Sequence, residues 1–337
     1  MQTDQQVFQK MIFPASYSTL CPSALGEFVA ESYRLDNVDC SLLVRGVGDT
    51  YLINSHQGRF ILRLYRSSHR SFSNVQAEVG LLFTLKQAAV PVSYPINDRH
   101  GEAIQTINAI EGERCAVLFS YAPGQAERTL NERQLYIFGQ QMARFHKVSS
   151  ALTLTGDRWT FDNNTTLFDP LAKLKAAFEN DQESYTWLQN AARRVDSYLA
   201  SLDTSEFSTG YCHFDFLPKN MHFVGDSITF SDFDFMGRGW LMYDIASFWQ
   251  HMAIEVYAGR MTQQAFDNNY TIFLSGYQSH RAISEQELAA VPYLSLGFWL
   301  FYMGFHTTHD QFYSFIQPAQ LKVYVTFLKH LETKFWF

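Results

Sequence analysis

The fold is decided by residues 210–251, which read GYCHFDFLPKNMHFVGDSITFSDFDFMGRGWLMYDIASFWQH. This stretch holds two polar clusters in an otherwise apolar region. The first is an H-x-D-x-x-x-x-N pattern made by His213, Asp215 and Asn220. The second is the sequence Ser-Asp-Phe-Asp at 231–234. Carboxylate, amide and imidazole groups at fixed spacing are candidates for catalysis or metal binding.

The segment between the two clusters predicts a β-hairpin. Residues 221–224 and 227–230 are apolar or β-branched runs, and they flank Gly225-Asp226. A hairpin returns Asn220 and Asp232 to the same end of two paired strands. That geometry suits phosphoryl transfer, in which one carboxylate accepts the proton of the attacking hydroxyl while an Asn and a second Asp hold Mg²⁺.

A third motif, Tyr-Asp-Ile-Ala at 243–246, opens an apolar helix just afterwards. With these motifs the chain resembles the aminoglycoside phosphotransferase and choline kinase-like family, which has a protein-kinase fold. Members carry H-G-D-x-x-x-x-N, then I-D-[FW], then Y-D-[IL]-A. The chain departs from this pattern at Phe214, where Gly is usual, and at Ser231, where Ile is usual. Neither position bears a reacting group.

The resemblance implies an α+β, bilobal protein-kinase-like fold. An N-terminal lobe, residues 1–121, would hold a small antiparallel sheet and a helix, and a larger helical lobe would follow at 122–337. The implied reaction is transfer of the γ-phosphoryl group of ATP to a hydroxyl. Asp215 would orient that hydroxyl and take its proton, while Asn220 and Asp232 would bind Mg²⁺.

The resemblance also places the nucleotide. Gly46 and Gly48 lie in a predicted turn between two strands, where backbone N–H groups approach phosphates without interference from a Cβ atom. The cation on the third strand, usually Lys, would be Arg63, and its partner Glu78 on the predicted helix 72–87. Backbone groups of Ser120 and Ala122 would bind adenine at the hinge.

Strand alternation separates Arg63 from a nearby alternative. In the predicted strand 59–66, Arg63 shares a face with Ile61 and Tyr65, whereas Arg66 lies on the opposite face. Arg carries the same positive charge as Lys and can bind phosphate bidentately, but the two side chains are not interchangeable. Without a phosphate nearby, Arg63 would be an ordinary solvated strand residue and Glu78 an ordinary helix-surface residue.

Other polar residues of the motifs have structural interpretations. His213 is expected to pack beneath the loop, and Asp244 to accept hydrogen bonds from the loop's backbone. Asp234 either assists a second ion or faces solvent. His146, at the end of the predicted helix 131–148, is interpreted as structural. Residues 151–167 are predicted to form a loop. Further helices are predicted at residues 23–33, 170–180, 183–202, 241–257, 262–278, 284–306 and 318–334.

Composition restricts the class of protein and its partners. The chain has 337 residues, 47% hydrophobic and 18% charged, which is typical of a soluble globular protein large enough for two lobes. A net charge of −7 argues against a nucleic-acid partner. The four cysteines are far apart, so neither a zinc site nor a disulfide framework is indicated and a reducing cytoplasm fits. There is no signal-peptide pattern, and the apolar run 294–305 is too short for a bilayer, so no membrane partner is expected.

The acceptor is predicted to be a small molecule bearing a hydroxyl group. Twelve acidic and seven basic residues follow residue 204, which gives the acceptor region a negative balance. Only 11 residues separate Asp232 from Asp244, which leaves no room for the long activation segment of ordinary protein kinases. A Ser/Thr protein kinase and a non-catalytic nucleotide-binding protein remain alternatives. Aminoglycoside, amino-alcohol, homoserine and sugar acceptors all stay open, as does the oligomeric state.

Overall fold

A computed structural model describes residues 13–336, and these form two compact units. The first unit contains the described residues up to Val79 together with Pro95–Tyr121. The second contains Gly80–Tyr94 and the chain from Ala122 onward. The unit changes after Tyr121, where the lobe boundary is predicted, and residues 80–94 belong with the second unit.

The first unit is built on a five-stranded antiparallel sheet in the order β1-β2-β3-β5-β4. Helix α1 covers one face, and α2 leads out of the unit. Alternation explains the core, because Leu62 and Leu64 of β3 face inward together with Tyr51 and Ile53 of β2. The elements are α1 (Pro22–Tyr33), β1 (Asp39–Arg45), β2 (Asp49–Ser55), β3 (Gly58–Leu64), α2 (Phe72–Gln87), β4 (Ile104–Ala109) and β5 (Gly112–Ser120).

The second unit contains the predicted hairpin. Strands β9 and β10 pair antiparallel from Ser227–Val224 to Phe230–Met221, and Gly225 takes a positive φ of 57° in the turn. Strand β6 pairs with the outer edge of β9. The prediction for this segment is confirmed. The strands are β6 (Gln125–Ala126), β7 (Trp159–Thr160), β8 (Thr209–Cys212), β9 (Met221–Val224), β10 (Ser227–Phe230) and β11 (Gly237–Trp240).

A second small sheet, β7-β11-β8, was not predicted. The prediction that residues 151–167 form a loop is therefore wrong in part, because Trp159–Thr160 is a strand and Asn164–Phe168 is a π-helical turn. Glycines of β11 allow the pairing. A Cβ on Gly237 would lie 2.6 Å from the Phe161 ring, and one on Gly239 2.8 Å from the Phe161 Cβ. Larger residues would push Phe161 away from the sheet.

Helices make up the rest of the second unit. Helices α3 and α8 each begin with a reciprocal capping box, Asn131 with Gln134 and Ser284 with Glu287. The helices are α3 (Glu132–Ser149), α4 (Asp169–Leu174), α5 (Gln182–Ser201), α6 (Met242–Tyr257), α7 (Gln263–Gln278), α8 (Glu285–His306) and α9 (Pro318–Phe335). Helix α8 is long and apolar enough to cross a membrane, but it is largely buried within its own unit, as a core helix is.

One predicted helix is broken. The single helix predicted over residues 170–180 is replaced by α4, which ends at Leu174, and a separate 3₁₀ turn, Ala176–Phe178. The turn leaves Phe178 fully buried against Tyr185. Asp181 then caps α5 by accepting from the Ser184 N–H at 3.1 Å. Asp181 therefore follows the 3₁₀ turn, to which its N–H donates at the Phe178 carbonyl, and it also begins α5.

Helices α3 and α7 cross at two glycines. A Cβ on Gly139 would lie 2.0 Å from the Phe273 carbonyl oxygen, and a Cβ on Gly276 would lie 2.0 Å from the Tyr136 carbonyl oxygen. The two backbones are therefore in direct contact. This close crossing holds α3 against the centre of the second unit.

Candidate active site

Asp244 holds the loop that follows β8. Its Oδ2 accepts from the His213 N–H at 2.9 Å, and its Oδ1 accepts from the Phe214 N–H at 2.6 Å. Asp244 lies in the first turn of α6 and is fully buried. The prediction that Asp244 accepts hydrogen bonds from the loop's backbone is confirmed. An ionised carboxylate on two N–H groups fixes the backbone one residue before Asp215.

His146 contacts Asp244 and so helps to hold its carboxylate in place. Its Nε2 lies 2.9 Å from Asp244 Oδ2, and its Nδ1 lies 2.8 Å from the Tyr277 hydroxyl. The ring is fully buried. Burial lowers the pKa of His146, although the Asp244 carboxylate acts in the opposite direction. The structural interpretation of His146 is consistent with this position.

Phe214 adopts a backbone conformation that favours glycine. Its φ is +65°, in the left-handed region, where a residue with a side chain is strained by about 1–2 kcal/mol. The ring is fully buried and stacks on Phe161 at 3.9 Å between centroids. It also packs against Phe301 of α8 at 4.9 Å. The departure from the H-G-D motif thus places a ring between the loop and α8.

His213 connects the two polar clusters. Its Nδ1 accepts from the Asp215 N–H at 3.2 Å, so the ring proton lies on Nε2, which donates to the Ser231 carbonyl at 3.0 Å. The side chain is fully buried beneath the loop, as predicted. His213 therefore positions the backbone of Asp215 relative to the strand end that carries Asp232.

Asp215 has one oxygen engaged and one open. Its Oδ2 accepts from Asn220 Nδ2 at 2.8 Å and pairs with Lys219 Nζ at 2.9 Å. Its Oδ1 is buried and has no hydrogen-bond partner within residues 13–336. The residue is only 1% exposed. A buried carboxylate oxygen without a donor is poised to accept a proton or hydrogen bond from a bound molecule.

The predicted metal residues lie at one end of the hairpin. Asn220 uses its amide nitrogen to hold Asp215, which leaves its amide oxygen as a possible ligand. The Ser231 N–H donates to the Asn220 carbonyl at 3.0 Å, so Asp232 directly follows a residue bonded to Asn220. Asp232 is exposed and has a φ of +59°.

The oxygen donors of Asn220 and Asp232 fit Mg²⁺, which typically takes one or two protein ligands and completes its shell with water and phosphate. Within the described residues no cluster of three or more His, Cys, Asp or Glu side chains forms another metal site.

Asp234 is buried, so the alternative that it faces solvent is wrong. Its carbonyl accepts from Arg158 Nη1 at 2.6 Å.

In the first unit, the residues predicted to bind the phosphates lie in the turn between β1 and β2, on β3 and on α2. A Cβ on Gly48 would lie 2.8 Å from the Leu64 carbonyl oxygen and 3.7 Å from Arg63 Nε, so this turn passes directly beside the arginine. The Arg63 guanidinium lies 5.3 Å from the centroid of the Tyr65 ring, and the Tyr65 hydroxyl donates to Glu78 at 3.1 Å. Glu78 is 1% exposed, so it is not an ordinary surface residue. Gly46 closes the turn by donating to the Gly48 carbonyl.

Arg66 has a different environment from the one that alternation predicted. Strand β3 ends at Leu64, so the alternation does not reach Arg66. Arg66 is 8% exposed, and its guanidinium lies 3.4 Å from the centroid of the Tyr17 ring. Tyr17 in turn donates to Asp49. Arg66 belongs to the core of its unit.

The predicted adenine-binding residues lie where the unit changes. Ser120 ends β5 and pairs with Phe60 of β3. Ala122 is buried, and its carbonyl lies 3.2 Å from Nδ1 of His222 on β9. That carbonyl therefore already has a protein partner.

Sequence reasoning missed Lys219 and Arg158. Lys219 lies four residues after Asp215, and this spacing within a motif loop was the available signal for their ion pair. Arg158 bonds to Asp234 across 76 residues of sequence. No local pattern predicts such a contact.

Comparison with known proteins identifies the family. The model of the phosphotransferase enzyme family, APH, matches residues 40–283. The chain belongs to this phosphotransferase family. It is 32% identical to an uncharacterized protein of Deinococcus radiodurans over 90% of the chain and 87% of that protein. It is 26% identical to a homoserine kinase of Rhodopseudomonas palustris, over 84% of the chain and 83% of the enzyme.

A solved structure of amicoumacin kinase hAmiN, in complex with AMP-PNP, Ca²⁺ and Ami, shares the fold of this phosphotransferase. The TM-score is 0.74 at 18% identity, and the match covers 94% of each chain. The predicted α+β protein-kinase-like fold is confirmed. The chain is therefore a member of a family of phosphotransferase enzymes.

Proposed function

We propose that this phosphotransferase transfers the γ-phosphoryl group of ATP, with Mg²⁺, to a hydroxyl group of a small polar molecule. The observation that carries the proposal is the open Oδ1 of Asp215. It belongs to a buried carboxylate whose other oxygen is held by Asn220 and Lys219. A carboxylate held this way accepts a proton from one side.

The reaction assigns a role to each oxygen and nitrogen of the loop. The acceptor hydroxyl donates its proton to Asp215 Oδ1 while its oxygen bonds to the γ-phosphorus. The bond from that phosphorus to the β–γ bridging oxygen breaks, and ADP leaves. Asn220 and Asp232 would hold Mg²⁺, which supplies charge neutralisation on the phosphates when it is bound. Lys219 and Asn220 keep the carboxylate oriented.

Residues of the first unit are proposed to bind the nucleotide. Arg63 would contact the phosphates as a bidentate cation, with Tyr65 and Glu78 fixing its position. The backbone of the Gly46–Gly48 turn would approach the phosphates. Adenine recognition would use the backbone of Ser120 and the N–H of Ala122, because the Ala122 carbonyl is already engaged by His222.

A small acceptor is favoured over a protein. The segment between Asp232 and Asp244 contains β11, which pairs with β8 and β7. A strand built into a sheet is not a mobile activation segment. Relatives include homoserine kinases, and structures of the same fold include an aminopropanol kinase. We also propose a cytoplasmic location, which suits the four cysteines, none of which is in a disulfide within the described residues.

An acceptor screen tests this function. ADP release is measured with ATP, Mg²⁺ and a panel of homoserine, ethanolamine, choline, 3-aminopropan-1-ol, spectinomycin and simple sugars. We expect at least one compound to accelerate ADP release. Asp215→Asn should lower kcat by about 10²–10⁴-fold with little change in the Kd of ATP.

Asp232→Asn is the matched variant for the metal site. It should weaken binding of ATP in the presence of Mg²⁺, detected as a smaller rise of Tm with the nucleotide. Turnover by Asp215→Asn within about threefold of the wild type would contradict a base at this position. Equal Tm rises for Asp232→Asn and the wild type would contradict the metal assignment.

A further inference from the structure

Two polar groups on the last turns of α8 are buried without hydrogen-bond partners. Neither the Tyr302 hydroxyl nor His306 Nδ1 has a hydrogen-bond partner of ordinary geometry within residues 13–336. Buried polar atoms are nearly always hydrogen-bonded, so each such atom requires an explanation. Because the residues are four apart, they lie on one face of the helix, about 5–6 Å from each other. Their ring centroids are 6.3 Å apart.

The Tyr302 hydroxyl lies next to the Asp215 carboxylate. Burial and then the negative charge of Asp215 raise the pKa of Tyr302 well above its usual range, and Asp232 and Asp234 act in the same direction. A side-chain hydrogen bond with Asp215 also raises the pKa, although neither the Tyr302 hydroxyl nor Asp215 Oδ1 has a partner of ordinary hydrogen-bond geometry. The phenol is therefore a proton donor at neutral pH. A group placed beside both atoms would have to donate to one and accept from the other, as an alcohol does.

His306 lies near a positive charge, whereas Tyr302 lies near carboxylates. Burial and then the positive charge of Lys219 lower the pKa of His306 to about 4, so the ring is neutral at physiological pH. Lys219 already pairs with Asp215, but an ammonium group has three N–H donors. Phe315 stacks on the His306 ring at 4.8 Å, and Phe312 lies 5.1 Å away. This end suits a small anionic group enclosed by apolar rings.

We propose that Tyr302 and His306 form the acceptor subsite of Asp215, and that the acceptor is a short hydroxy acid or hydroxy amino acid. Its hydroxyl lies between Tyr302 and Asp215 Oδ1, and its carboxylate lies at His306 and Lys219. During transfer the hydroxyl proton passes to Asp215 as the new O–P bond forms and the bond to ADP breaks. Tyr302 keeps its proton and orients the acceptor oxygen. This inference rests on the proposed function.

Three related compounds test the acceptor class. L-Homoserine carries a hydroxyl, a carboxylate and an ammonium group, 4-hydroxybutyrate lacks the ammonium, and 3-aminopropan-1-ol lacks the carboxylate. ADP release and ³¹P NMR of the product measure transfer to each. We expect both carboxylate compounds to be phosphorylated, and 3-aminopropan-1-ol to have a kcat/KM at least about tenfold lower, the loss of one charge-assisted hydrogen bond.

The outcomes separate this inference from the proposed function. If 3-aminopropan-1-ol matches the carboxylate compounds, or if neither carboxylate compound is phosphorylated, the acceptor class is overturned. When another alcohol of the panel is phosphorylated in that case, the proposed phosphotransferase function still stands. When no compound of either set accelerates ADP release, the proposed function itself fails.

Two variants test the residues, and the chain offers a matched control. Tyr302→Phe should lower kcat for the most active acceptor by about 10–100-fold without lowering Tm, because only one hydroxyl is lost. The Tyr270 hydroxyl is also buried without a partner in the described chain, but burial alone raises its pKa. Tyr270→Phe should therefore leave kcat unchanged. Equal effects of the two variants would overturn the role of Tyr302.

His306→Gln tests the carboxylate end. It should raise the KM of L-homoserine several-fold, leave the KM of ATP unchanged, and have little effect on 3-aminopropan-1-ol. A merely structural histidine would affect both acceptors alike. That result would overturn the assignment of His306 and, with it, the position of the carboxylate.

Discussion

At the scale of single residues, Phe214 shows how this enzyme departs from its family motif. The residue has a φ of +65°, yet it is held there by the Asp244 carboxylate on its N–H. Its ring stacks on Phe161 and packs against Phe301, and it lies 6.2 Å from the Tyr302 ring. Aromatic packing therefore offsets the backbone strain and links the loop to the proposed acceptor subsite.

Substitution of Phe214 separates the two effects. Phe214→Ala should destabilise the protein by about 3–5 kcal/mol because it leaves a cavity and keeps the strain. Phe214→Gly leaves a similar cavity but removes about 1–2 kcal/mol of strain, so it should be the more stable of the two variants. Urea unfolding gives both free energies. Greater stability of the Ala variant would show that the left-handed conformation costs nothing here.

The sequence predicted those site residues whose spacing is local. His213, Asp215, Asn220 and Asp232 come from two clusters in one continuous stretch, and hydrogen bonds of the His213 ring, the Asn220 amide and the Ser231 backbone connect these clusters. Asp244 was predicted from its position in the third motif. Tyr302 was not, because it lies 87 positions after Asp215 and only tertiary packing brings a helix of aromatic residues next to the loop. In the sequence it is one of several aromatic residues of the predicted helix 284–306.

At the scale of elements, the end of β3 distinguishes two arginines. Arg63 lies within the strand beside Gly48, whereas Arg66 follows the strand end and lies on Tyr17. Arg63→Ala should weaken ATP binding about 10–100-fold, as expected for one charged contact to phosphate. Arg66→Ala should lower Tm and leave ATP affinity near that of the wild type. Calorimetric titration and thermal unfolding measure the two quantities.

The reverse pattern, with ATP affinity lost in Arg66→Ala and kept in Arg63→Ala, would mean that the phosphates are bound by the residue after the strand. Arg99→Ala is a suitable control. Arg99 lies in the same unit, but its guanidinium pairs with Glu31 at 3.5 Å. This variant should leave the ATP affinity unchanged.

Elements with strong local signals were predicted, and elements defined by distant partners were not. The hairpin β9–β10 follows from Gly225-Asp226, and α3 follows from its capping residue and its apolar face. Strand β7 has only two residues, and its partner β11 begins 78 residues later. Periodicity needs about four residues to be visible, so such a strand has no signal of its own.

At the scale of the whole molecule, buried histidines should make stability depend on pH. His146 faces Asp244, Tyr277 and Arg281, and its pKa is lowered in the folded protein. A depressed pKa means that the unfolded chain binds the proton more tightly. The contribution of His146 to the free energy of unfolding is therefore fully present above its unfolded pKa of about 6.5. It is lost as the pH falls below that value, by up to about 1.4 kcal/mol for each pH unit.

Thermal unfolding at pH 7.5 and 5.5 tests this dependence. Wild-type Tm should fall on acidification, and the fall should be smaller in His146→Gln, although that variant is less stable at pH 7.5 because it loses two buried contacts. His56→Gln changes an exposed histidine and should keep the wild-type dependence. A Tm that rises on acidification would contradict the sign of the effect.

The crossing of α3 and α7 bears on how the enzyme can be engineered for heat resistance. Replacing a mid-helix glycine by alanine commonly adds about 0.5–1 kcal/mol, so Gly139 and Gly276 would head any automated selection of stabilising substitutions. Here a methyl group on either residue would overlap a carbonyl oxygen of the facing helix. A saturation library should therefore retain glycine at both positions. It can accept alanine at the half-buried Gly80, where an added Cβ would lie 3.8 Å from Leu154 Cδ2, an ordinary van der Waals contact.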